Sequence, residues 1–246
     1  MADAWALLQR RVRANAGAPF VTHVDLTTGA RTELSAVSVA NAASKIANAL
    51  RQEYDLERGD VVALDLPAHW QRTTWCAGAW TAGCAISLSP HARARLIVTS
   101  EAADAGTLAL LTEASPGAPV VAVSLHPFGL PISAALPGGV DDVTVVVRQQ
   151  PDAYLFDPPD GDVPALVQSD GTVSQDEALG AARTLAAEWG LTAGGRLLAG
   201  PSLSPQDGLA AAFAVPLVAD AAVVLVSGIG DLTVVEATEQ VTSRAT

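Results

Sequence analysis

Residues 174–227 read SQDEALGAARTLAAEWGLTAGGRLLAGPSLSPQDGLAAAFAVPLVADAAVVLVS, and they decide the fold because the chain has already run through the same order once. Ser174-Gln175-Asp176-Glu177 has the spacing of a capping box, in which the serine hydroxyl and the glutamate carboxylate satisfy each other's free backbone amides. Leu179, Ala182, Leu185, Ala186 and Trp189 follow at helical spacing, and Gly190 ends the helix. Leu191 and Gly194 then frame a turn, and 196–199 reads as a short strand. Ser204-Pro205 opens a second helix with proline at its first position, and 221–226 reads as an apolar strand. Residues 35–89 give the same sequence of signals. A serine cap precedes a helix with Val39, Ala42, Ala43, Ile46, Ala49 and Leu50 on one stripe. Leu56 and Gly59 frame the turn, 61–66 is a buried strand, 69–83 is an apolar helix and 85–88 is the next strand. Seven elements in one order, twice, predict two similar lobes.

The flanks fit that plan. Asp3 caps a first helix, a hairpin runs from 19–26 to 31–34, and strands at 96–99 and 120–124 enclose a helix within 101–114. Strands alternating with helices predict an α/β fold, with mainly parallel sheets flanked by helices. The expected divisions are a first lobe at 1–124, an irregular proline-rich connector at 125–164 carrying one strand at 143–147, and a second lobe at 165–246.

The chain has 246 residues, 50% hydrophobic and 4% aromatic, and 48 of them are alanine, so its core is made of small aliphatic groups. Net charge is −12, split as +2 over residues 1–100 and −14 over 101–246. That excludes nucleic acid as an expected partner, since phosphate binding requires a basic face. The two cysteines, Cys76 and Cys84, read as buried free thiols rather than a disulfide framework or a zinc site. Asp157, Asp160 and Asp162 match no calcium loop and read as a solvated acidic stretch. The most apolar stretch, 209–226, is interrupted by Pro216 and Asp220, so no membrane span is expected. The first residues place acid before the apolar positions and Arg10, Arg11 and Arg13 after them, opposite to a signal peptide. The expected location is the cytoplasm.

The block from Thr32 to Pro90 resembles the amino-terminal region of acyl-adenylate-forming enzymes, the superfamily of acyl-CoA synthetases. The resemblance rests on Gly59-Asp60-Val61-Val62-Ala63-Leu64, Leu66-Pro67 and Thr81-Ala82-Gly83-Cys84-Ala85. Residues 191–226 resemble the segment after that family's phosphate loop. Ser124-Leu125-His126-Pro127-Phe128-Gly129, with the chain's length, resembles a group of short, functionally unassigned bacterial relatives. The family's phosphate loop is rich in Ser, Thr and Gly and ends Pro-Lys. Here its place is taken by Gln168-Ser169-Asp170-Gly171-Thr172-Val173, with one glycine, no lysine and an acid that repels a triphosphate. Ser169, Asp170, Gly171 and Thr172 are therefore expected to form a degenerate phosphate loop. The family's later magnesium, ribose and catalytic-lysine motifs lie beyond the residues present, and the chain's one lysine, Lys45, sits on no matching motif.

The resulting expectation is a truncated, catalytically silent relative that binds a protein partner or a small ligand, with no cofactor: the motifs do not support ATP, AMP or CoA binding. The alternatives are a half-enzyme completed by another chain, and unrelated chemistry on the retained scaffold. Three histidines follow expected strands: His69 after 61–66, His91 after 85–88 and His126 after 120–124. If the strands are parallel, all three reach the carboxyl edge of one sheet, where open α/β sheets bind ligands. His126, on a stiff Pro-Gly loop, is the first candidate, with His91 and His69 beside it.

Overall fold

The computed structural model describes residues 3–89, 93–168 and 171–246. It contains two mainly parallel sheets with helices against them, as the sequence pattern requires. The repeat is visible in both halves. The first runs through hairpin strands β1 (Pro19–Asp25) and β2 (Arg31–Ser35), helix α2 (Ala36–Gln52), β3 (Val61–Leu64), α3 (Trp70–Ala82) and β4 (Ala85–Ser87), after an opening helix α1 (Ala4–Asn15). Next come β5 (Ala94–Ser100), α4 (Ala105–Ala114), β6 (Val120–Val123), β7 (Val140–Asp142) and α5 (Val143–Gln149). The second repeat has hairpin strands β8 (Pro164–Gln168) and β9 (Gly171–Ser174), α6 (Gln175–Glu188) and β10 (Arg196–Ala199). A broken helix follows, formed by α7 (Pro205–Leu209), a π-helical turn at Ala210–Ala214 and α8 (Val215–Ala219). The chain then gives β11 (Ala222–Ser227), α9 (Leu232–Thr238) and β12 (Ser243–Arg244).

The repeat extends to single hydrogen bonds. Gly59 and Gly194 both take a positive φ, and their amides bond the carbonyls of Gly83 and Asp220, the left-handed caps that close α3 and α8. Ala85 N donates to Asp60 O as Ala222 N donates to Gly195 O. β3 is parallel to β4, and β10 is parallel to β11.

The sheets do not follow the expected divisions of the chain. One has the order β7-β6-β5-β3-β4-β8-β9, the other β12-β10-β11-β1-β2. Each hairpin joins the sheet of the other repeat: β8 pairs parallel with β4, and β1 pairs parallel with β11. Boundaries at 124 and 164 therefore cut through both sheets. The connector is also more ordered than expected. Its run 143–147, read as a strand, is helix α5, because Asp142 accepts from Thr144 N and caps it. It lies against α2, where Lys45 Nζ reaches Gln150 O at 2.5 Å and Asp152 Oδ1 at 3.1 Å, and Asn48 Nδ2 donates to Ala153 O at 2.9 Å.

Helix α3 is buried almost all round, which explains its apolar and small side chains. At Gly78 it meets α2 so closely that a methyl group would stand 2.5 Å from Ile46 Cγ2 and 3.3 Å from the Ala43 carbonyl. Ile46 is itself buried and has nowhere to move. Gly78→Ala is therefore expected to lose about 1–3 kcal/mol through overpacking, measured by denaturant unfolding. No loss would mean that the two helices separate freely.

Candidate functional site

Strands β4, β3, β5 and β6 are mutually parallel, so their carboxyl ends lie along one edge of the sheet. The histidines are nevertheless distributed differently. His69 caps α3, its Nδ1 accepting from Gln71 N at 3.2 Å, and is 4% exposed. Its ring meets that of His23 edge-on, with centroids 4.4 Å apart. His23 was not among the expected site residues: it arrives on β1, a strand of the other sheet, and its Nε2 lies 2.9 Å from Ser227 Oγ at the end of β11. Burial pushes the His69 pKa down to about 3, with His23 adding to the shift and the Leu125 backbone and Asp25 opposing it. Burial also lowers His23, against Asp25. Both imidazoles are neutral at pH 7 and act as packed, hydrogen-bonded groups.

His126 sits in the exposed loop after β6, its Nδ1 accepting from Phe128 N at 3.1 Å and its ring tilted over Phe128 at 5.8 Å. His91 lies outside the described residues. Among the described residues, no ring contact or hydrogen bond joins His126 to His69.

The segment expected to replace the phosphate loop joins β8 to β9. Gln168 pairs with Gly171 and Val167 with Thr172 in an antiparallel hairpin, so only two residues, Ser169 and Asp170, separate the paired positions. Those two lie outside the described residues, while Gly171 and Thr172 are exposed strand residues. The one lysine is held on α2 by Gln150 and Asp152.

Beside this hairpin lies a cavity of 310 Å³ that the sequence reading did not anticipate. Leu166 and Val173 of the hairpin form one wall, Ala178, Ala182 and Leu185 of α6 another, and Trp80 and Phe213 the floor. The alanines leave the space, and their density along α6 was its one sequence signal. Trp80 Nε1 donates to Ala165 O and Gln175 Nε2 to Trp80 O, which fixes α3, β8 and α6 around it. Gln168, Gln206 and Asp207 supply its polar groups. Cys76 also lines it, but burial pushes its thiol up to about 12 against the pull of Arg72, so it stays protonated and supplies no nucleophile. The volume and lining suit the apolar part of a small organic molecule. Among the described residues, no group of three or more His, Cys, Asp or Glu side chains could hold a metal, and no helix is long and apolar enough to cross a membrane.

No protein-family model matches the chain. A TIGR03089 family protein of Mycobacterium tuberculosis (strain ATCC 25618 / H37Rv) is 35% identical over 223 residues, which cover 90% of this chain and 88% of the relative. Among solved structures, the crystal structure of Brucella canis acyl-CoA synthetase matches with a TM-score of 0.78 at 20% identity, over 99% of this chain and 47% of that one. The chain thus carries the fold of part of an acyl-CoA synthetase and spans about half that protein's length.

Proposed function

The chain belongs to the TIGR03089 family, and we propose that it binds a small carboxylic acid or acyl compound in the cavity under the β8–β9 hairpin, without adenylating it. The observation that carries this reading is the juxtaposition of an apolar 310 Å³ cavity with a hairpin that offers no lysine and no glycine-rich loop. In this arrangement the apolar walls take the acyl or aromatic part of the ligand. Gln168 and Gln206 supply amide donors for its carboxyl end, while Asp207 accepts from Ser204 Oγ at 2.7 Å. The sequence Gln168–Val173 that joins β8 to β9 carries an acid, Asp170, and no lysine or arginine, which disfavours a triphosphate.

Two measurements test the reading. Thermal unfolding with medium-chain and aromatic carboxylic acids is expected to show stabilisation. At 100-fold excess over Kd the gain is about 2.7 kcal/mol, or roughly 5–10 °C for a chain of this size. Ala182→Phe, which fills the cavity, is expected to abolish that gain. Pyrophosphate exchange over the same acids is expected to stay at background; steady exchange by the purified chain overturns the non-adenylating reading. Exchange that appears only when a second protein is added would support the half-enzyme reading instead.

A further inference from the structure

We infer that the chain carries a hydrolytic site at the carboxyl ends of β1 and β11, in which Ser227 attacks small esters and His23 takes its proton. The site is separate from the cavity above. The two strands are parallel neighbours in the sheet β12-β10-β11-β1-β2. Asp25 is the register partner of Ser227, and His23 that of Leu225. Side chains alternate along a strand, so His23, Asp25 and Ser227 stand on one face.

The chemistry of a nucleophile and its base is present there. Ser227 Oγ lies 2.9 Å from His23 Nε2, within the reach a general base needs. Burial keeps this imidazole neutral at pH 7, so in the tautomer protonated at Nδ1 its Nε2 accepts the serine proton. The edge-on contact with His69 at 4.4 Å holds the ring in place. Asp25 works against the effect of burial and favours the charged imidazole. It is a positioning residue: its charge steadies the imidazolium that forms when Ser227 gives up its proton. Its carboxylate is fixed by Thr27 N and Thr28 Oγ1, each at 2.8 Å.

The chain around Ser227 also gives access. His23 is 6% exposed, but Ser227 is half-buried, and Gly228, Ile229 and Gly230 after it are exposed. Gly228 takes a φ of 78°. A Cβ there would clash with Thr27 Oγ1 and stand 2.8 Å from Asp25 Oδ1, so the turn requires glycine. A parallel strand that ends in serine, turns on glycine and leads into a helix, here α9, presents the hydroxyl above the sheet. Gly228 N donates to no group among the described residues. It is the amide directly after the nucleophile, the position that meets the oxyanion in such turns.

In the reaction, Ser227 Oγ bonds the carbonyl carbon of the ester as His23 Nε2 takes the hydroxyl proton. The ester C–O bond breaks and the alcohol leaves with that proton. A water deprotonated by His23 then attacks the acyl-serine, the carboxylic acid leaves, and the proton returns to Ser227. Ile229, 92% exposed, is the apolar side chain nearest in sequence to the serine. An open site with one such contact suits a compact acyl group.

The test uses the full chain with p-nitrophenyl acetate and butyrate, and with a fluorophosphonate that labels activated serines. Turnover above buffer is expected. Ser227→Ala should abolish it, and His23→Gln should lower kcat about 100-fold or more, as for loss of a general base. Asp25→Asn should lower kcat about tenfold with KM unchanged, since the charge acts only on the imidazolium. Mass spectrometry should place the phosphonate on Ser227 of the wild type and leave the His23→Gln chain unlabelled. Thermal unfolding of Ser227→Ala should match the wild type, which separates lost chemistry from lost fold. Wild-type turnover no faster than buffer would overturn the inference. So would unchanged turnover in Ser227→Ala, or a phosphonate found on other serines instead of Ser227.

Discussion

Replacing His69 with asparagine is expected to flatten the acid limb of the stability curve between pH 6.5 and pH 4.5. His69 holds its proton affinity far below the usual value of about 6.5, down to about 3, chiefly because its ring is buried against His23. In this window the unfolded chain binds a proton at this histidine and the folded chain does not. The unfolded state therefore gains, and stability falls as pH falls. The contribution is fully present above pH 6.5 and is lost as pH drops toward 3. At about 1.4 kcal/mol per pH unit, roughly 2.5 kcal/mol disappears by pH 4.5, most of it above about pH 5, where most carboxylates are still ionised. Asparagine keeps an acceptor for Gln71 N at the start of α3, since it is among the best capping residues, but it does not titrate. Denaturant unfolding at pH 7.0, 5.5 and 4.5 measures the difference in slope. Parallel slopes for the two proteins would mean that the buried imidazole is protonated in the folded state.

The fold was legible because its signals are local and repeated. Capping at Ser35 and Ser174, the turns at Gly59 and Gly194, and buried β-branched runs each act within a few residues, and each appears in the structure. The exchange of hairpins between sheets was not legible, since strand pairing between β1 and β11 or β4 and β8 is set by packing across long sequence separations. That explains why His23 was overlooked: nothing near it in sequence shows that β1 carries it to His69. The run 143–147 was misread because valines favour strands. Alternation would have placed Val143, Val145 and Val147 on one face. Instead Val143 is buried, Val147 packs against the core and Val145 is 46% exposed, which is the i, i+4 spacing of a helix capped by Asp142. Of the candidate site, the shortage of phosphate-binding groups could be read directly. The cavities could not, because empty space is a property of the packed helices and not of any one of them.

Phe213→Ala is expected to cost about 3–5 kcal/mol, the range for truncating a fully buried aromatic ring, and to lower the unfolding temperature by about 10 °C or more. Phe213 is 2% exposed and sits in the π-helical turn of the second repeat. It stacks on Phe20 of β1 at 6.0 Å and meets the edge of Trp80 of α3 at 5.7 Å. One ring thus joins the broken helix of the second repeat to two elements of the first, so its loss weakens the packing between repeats as well as leaving a hole. The hole opens into the 310 Å³ cavity, whose floor Phe213 forms. The variant is therefore expected to recover part of its stability with acids whose apolar part is longer than the wild-type chain accepts, just as engineered apolar cavities take up apolar guests. Thermal unfolding with a chain-length series of carboxylic acids measures both effects. Loss of stability with the chain-length preference unchanged would place the bound acid away from Phe213 and contradict the proposed orientation of the ligand.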